Sequence, residues 1–165
     1  MARSMARLAV VAGFTLVACA ATPRSVTVVP FVTGPPMFAS GDSIEIEEIV
    51  GTRVRLEVGG AYIVSGHATL ASRDSARLAL YSTGSGDPAD DGPRTEGSKN
   101  VVIERGTTVF HFTVTILRDG DLHLILAPAE DEWANQSIGG IYFRDPQRPF
   151  LYGGVERLAE APPRH

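Results

Sequence analysis

Residues 109–127 read Val109-Phe110-His111-Phe112-Thr113-Val114-Thr115-Ile116-Leu117-Arg118-Asp119-Gly120-Asp121-Leu122-His123-Leu124-Ile125-Leu126-Ala127. Two apolar sets alternate with their neighbours: Phe110, Phe112, Val114 and Ile116 first, then Leu122, Leu124 and Leu126. A period of two marks a strand with one buried face. Arg118-Asp119-Gly120 between the sets is a turn signal. The spacing predicts a hairpin with Gly120 in the left-handed position of a three-residue loop. Ile116 then faces Leu122, Val114 faces Leu124 and Phe112 faces Leu126. A two-residue loop would slip the register by one and set Ile116 against His123.

The same period continues on either side. Ser43–Val50, Arg53–Val58, Tyr62–Ala71 and Ala76–Thr83 precede the hairpin, with Lys99–Glu104 just before it and Ile138–Arg144 after it. None carries a helix-length stripe of period 3.6. Glycine and proline total 28 of 165 residues, a proportion that suits a turn-rich β protein. The fold class read from this pattern is all-β, a small antiparallel β-sandwich, Ig-like in general architecture, over residues 41–144. Gly59-Gly60-Ala61-Tyr62-Ile63 and Gly139-Gly140-Ile141-Tyr142-Phe143 echo each other, and both read as strand starts after glycine turns. Residues 145–165, with Pro146, Pro149, Pro162 and Pro163, read as a C-terminal tail whose Phe150, Leu151 and Tyr152 can dock on the body.

Before the body the pattern differs. Arg3 and Arg7 precede an uncharged, mostly apolar run from Leu8 to Val17. As a helix it would rise roughly 15 Å, half of a bilayer core, which is the length of a secretory signal and not of a span. Leu16-Val17-Ala18-Cys19 resembles the lipobox of bacterial lipoproteins, and Cys19 is the one cysteine of the chain. Ala18-Cys19-Ala20 also fits the small-x-small pattern of ordinary secretion. The resemblance implies removal of residues 1–18 as a signal peptide and lipidation of Cys19 with diacylglyceryl and, often, a further acyl chain such as palmitate. Membrane lipid held through acylated Cys19 is then the first partner. Ala20, where aspartate would mark inner-membrane retention, implies a lipid-anchored cell-envelope protein of the outer membrane, facing the periplasm or the surface. Residues 19–40, with Pro23, Pro30, Pro35 and Pro36, read as a lipidated tether, although Ser25–Val29 has the β character to dock as an edge strand.

Composition excludes several classes. Apolar residues make up 44% and charged ones 21%, enough for a packed core and too apolar for wholesale disorder. Without residues 1–18, thirteen basic side chains stand against nineteen acidic ones, a formal charge of −6. Such a surface repels nucleic acid and anionic lipid. A single cysteine excludes an internal disulfide and a thiolate zinc cluster.

The candidate chemistry is sparse. His67, His111 and His123 lie on the faces opposite the apolar sets; the hairpin register puts His123 opposite Thr115, roughly 13 Å along the strand from His111, too far for one zinc. No metal site is expected. Ser65 and His67 share a strand face without an identified acid, and Gly84-Ser85-Gly86-Asp87-Pro88-Ala89 lacks the following helix that would hold a phosphate. No cofactor is expected. Asp87, Asp90 and Asp91 in the Gly84–Ser98 loop could bind calcium but lack EF-hand spacing. They and Trp133, in the Glu130–Ser137 connection, are instead candidate contacts for an unknown envelope protein or glycan, since loops on a rigid sheet commonly carry binding. With no catalytic constellation recognisable, the function read from sequence is a non-enzymatic binding or assembly module. The alternative is an envelope glycan hydrolase using paired carboxylates.

Overall fold

The computed structural model describes residues 25–84, 92–129 and 137–151. Cys19, Asp87, Asp90, Asp91 and Trp133 all lie outside these described residues. Every regular element described is a strand, and the pairing throughout is antiparallel. The all-β reading of the alternation therefore holds. The strands hydrogen-bond as one continuous sheet that curls into a half-barrel, where the sequence had suggested an Ig-like sandwich.

The curl is organised by one long strand. Tyr62–Ala71 and Ala76–Thr83, expected as two strands, are a single element, β5 (Ala61–Thr83), and Lys99–Glu104 joins the first strand of the expected hairpin as β7 (Asn100–Ile116). β4 (Ser43–Gly51) pairs with the first half of β5. β7 runs along most of the length of β5, from Ala61↔Thr115 to Ala79↔Asn100, and carries the two-residue β6 (Thr95–Glu96) on its other edge. β8 (Asp121–Ala127) pairs with the last third of β5, and β9 (Gly139–Arg144) follows beside β8. Straight, the 23 residues of β5 would span about 75 Å. Yet Ile116, beside the start of β5, is joined to Asp121, opposite its end at Thr83, by a link that can reach only about 18 Å. β5 therefore folds back on itself.

The predicted hairpin is thereby overturned. Its inward sets are right, for Phe110, Phe112, Val114, Ile116, Leu122, Leu124 and Leu126 are all buried. The partners are not. Phe112 lies opposite Val64, and Leu124 lies between Leu80 and Ile141. Both strands take β5 as their neighbour because its apolar face is long enough to serve each of them. Gly120 is not left-handed either. It is needed because a Cβ there would sit 2.5 Å from Ser82 Oγ and 2.7 Å from the Thr83 carbonyl oxygen.

The bend in β5 is a built corner. The register with β7 shifts between Leu70 and Ser75, which leaves backbone groups without ladder partners. Asp42, itself buried, receives two of them: the Ala71 and Ser72 amides donate to its Oδ1 at 2.8 and 2.9 Å, and Ser72 Oγ to its Oδ2 at 2.6 Å. Burial alone would raise the Asp42 pKa, but these bonds and the Arg73 charge hold it below the usual value. Arg105 closes the other side, donating to the Ala71 carbonyl and to Asp74. Gly106 opposite takes φ +120, a left-handed-side conformation that a side chain would oppose.

A second irregularity lies in β4, where the register shifts between Ile46 and Glu48 opposite Gly66. A Cβ on Gly66 would stand 2.0 Å from the Glu45 carbonyl oxygen, which is backbone and has no room to move. Gly66→Val is expected to cost about 3 kcal/mol or more, read as a lowered urea midpoint with unchanged slope.

Arg53–Val58, expected as a strand, is an irregular loop. Only Leu56 of its apolar set is buried, while Val54 and Val58 are exposed. The loop wraps the Tyr62 hydroxyl, which accepts from the Glu57 amide at 3.0 Å and donates to the Arg55 carbonyl. Of the stretch read as a tether, residues 25–40 do not extend freely. β1 (Thr27–Val28) pairs with β4, while β2 (Val32–Thr33) and β3 (Met37–Phe38) pair with β9, and Val29 is buried. Apolar side chains outweighed the prolines, which fall between the paired dipeptides. The near part of the tail docks as well: the Leu151 amide donates to Asp121 Oδ2 at 2.8 Å, and the Arg144 guanidinium lies over the Phe150 ring.

Candidate functional site

A broad concavity lies on the outer face of β8 and β9. Alternation sends Leu122, Leu124, Ile141 and Phe143 into the core and leaves His123, Ile125, Gly140 and Tyr142 outside. Gly140 shares a face with Tyr142 but presents no side chain, which opens a trench beside the ring. Met37 and Phe38 of β3 wall its far side, and the cavity measures about 650 Å³. Gly139 and Gly140 are thus strand residues and not a turn. A Cβ on Gly139 would lie 2.8 Å from the Met37 carbonyl oxygen, and one on Gly140 2.7 Å from that of Leu124.

Tyr81, His123 and Tyr142 stand abreast on β5, β8 and β9 by register. Ring centroids are 5.8 Å apart for Tyr81 and His123, and 5.0 Å for His123 and Tyr142. His123 Nδ1 is 2.9 Å from Thr83 Oγ1. Burial, opposed by the nearby Asp121, pushes the imidazole down to about 4, so His123 is neutral at pH 7. The unfolded chain, with an imidazole of ordinary pKa near 6.5, takes up its proton first as the pH falls. The contribution is therefore complete above about pH 6.5 and is lost as pH falls toward 4, by about 3 kcal/mol. Urea midpoints at pH 7 and 4.5 should separate by much less in His123→Gln than in the parent chain.

The other sequence candidates fall elsewhere. His123 is opposite Tyr81 and Tyr142, not Thr115. Ser65 and His67 do share the outer face of β5, but Ser65 Oγ meets His111 Nδ1 across the strands at 3.0 Å. His67 lies between Glu45 and Glu47, with nitrogen–oxygen distances of 3.3 and 3.4 Å. Neither pair lines this trench, the groove beside Ile63 or the cleft beside Asp119. Among the described residues no three histidine, cysteine or acidic side chains gather where they could hold a metal. Glu57, Asp119 and Asp145 do border one cleft, but its volume is about 10 Å³, room for a single water and not for a sugar. There Asp119 pairs with Arg148, and Asp145 accepts the Gln147 amide.

The row of Tyr81, His123 and Tyr142 was missed because the three residues are far apart in sequence. The available signal was their common placement at outward positions of strands. Comparisons with protein-family models, curated proteins and solved structures give no match to this chain.

Proposed function

We propose that this chain is a lipid-anchored protein of the bacterial cell envelope that binds an envelope protein or glycan through the trench beside His123. The observation that carries the binding reading is that trench, walled by aromatic and aliphatic side chains around one neutral imidazole. Most recognition sites have this composition: a largely apolar concavity with a few fixed polar groups. The anchor reading is supported by Leu16-Val17-Ala18-Cys19, and the outer-membrane destination by Ala20. Asp87, Asp90, Asp91 and Trp133 remain the proposed loop contacts.

A photocrosslinking residue in place of Met37, on the rim, tests the binding reading in cells. A discrete adduct is expected, and it should vanish when Tyr142→Ala removes the trench wall. The same adducts from a crosslinker at Val109, far from the trench, would overturn it. Labelled palmitate tests the anchor: it should mark the wild-type chain and leave Cys19→Ser unlabelled. Equal labelling of both would remove the anchor.

A further inference from the structure

On the other half of the sheet, the outer face passes from an apolar end to a mainly polar one. Val28, Val50, Ile63 and Thr113 form one lateral row across β1, β4, β5 and β7. Val26 adds to it, and a shallow groove of about 230 Å³ beside this row is lined by no charged residue. Val26 and Val28 are more than half exposed, and Ile63 is 40% exposed. The next rows along the same face carry charged and polar side chains, with Glu48, Ser65 and His111, then Glu45 and His67 beside a lone Val109. The apolar end is where the described chain joins the sheet, and Cys19 lies six residues before Ser25. Six residues reach about 21 Å at most.

We infer that this valine–isoleucine band rests on the lipid surface that holds Cys19, so that the domain lies against the bilayer by one end of its outer face. The inference rests on the anchor reading and goes beyond it. The short reach keeps the band within contact distance of the membrane. A mature charge of −6 gives no attraction to anionic headgroups, so the contact is apolar and zwitterionic lipid suffices.

The lipidated thiol of Cys19 is blocked, which leaves any introduced cysteine as the one free thiol for an environment-sensitive fluorophore. Full-length lipidated Ile63→Cys and, at a second position, Val28→Cys are labelled and reconstituted into phosphatidylcholine vesicles. Their emission is expected to shift to the blue and to be quenched by doxyl-labelled lipid. A label on Val109→Cys, at the polar end, should keep its aqueous emission. The soluble double variant Cys19→Ser/Ile63→Cys should do the same. Aqueous emission from both band positions in protein that floats with the vesicles would overturn the apposition and leave the anchor standing. A blue shift already present in the soluble variant would mean that a second copy or another segment of the chain covers the band, and would also overturn it. Protein that fails to float would remove the anchor and, with it, the apposition.

Discussion

Asp121→Ala is expected to lower stability by about 3–5 kcal/mol, among the largest effects available to a single substitution in this chain. Asp121 is fully buried, and its Oδ1 stands 2.7 Å from Arg144 Nη1. The two atoms meet without hydrogen-bond alignment, so the attraction is chiefly electrostatic. Oδ2 takes the Leu151 amide, which ties the tail to the start of β8. Removing the carboxylate leaves a buried guanidinium with its charge uncompensated. Such a pair is costly to break and cheap to replace as a whole. Asp121→Leu combined with Arg144→Leu should therefore recover most of the loss in urea unfolding. Failure of the double variant to recover would mean that the tail contact, and not the charge, dominates.

Phe143→Ala should cost a further-ranging loss of about 3–5 kcal/mol. Its ring is fully buried and lies opposite Leu122 in register. Phe31 meets it edge-on, with centroids 6.5 Å apart and planes at 78°. The ring thus supports Phe31 in the middle of the segment 25–33. Limited proteolysis of Phe143→Ala should cut in this segment first, whereas Tyr142→Ala, one residue away on the outer face, should leave it protected. Equal cutting in both variants would show that the segment is held by its strand pairing alone.

The alternation in the sequence identified β4, β8 and β9 almost to the residue, and nearly every inward side chain of β5, β7 and β8. It could not identify the neighbours. Any two strands with one apolar face satisfy the same pattern, and the choice between them is made by residues tens of positions away. The proposed facing of Ile116 and Leu122 was locally consistent and lost to β5, whose long apolar face accepts both strands. The corner at Ala71–Asp74 was invisible for a related reason: it depends on Asp42, about thirty residues earlier, arriving to receive two amides. Arg53–Val58 shows the opposite failure. Its alternation is real, but Tyr62 uses the backbone there for its hydroxyl, and no strand forms. Of the candidate site, His123 was seen and its aromatic neighbours were not.

The length of β5 also sets the order in which the molecule can be completed. When residue 83 leaves the ribosome, only β4 exists to cover this strand. Most of one edge waits for β7 and the far third of the other for β8, both still to be synthesised. During that interval the nascent chain offers open main-chain donors and acceptors beside aliphatic side chains, the template on which polypeptides aggregate. Slow, non-local closure is the expected kinetic signature. A holding chaperone should raise the yield of soluble product far more than it changes the final melting temperature.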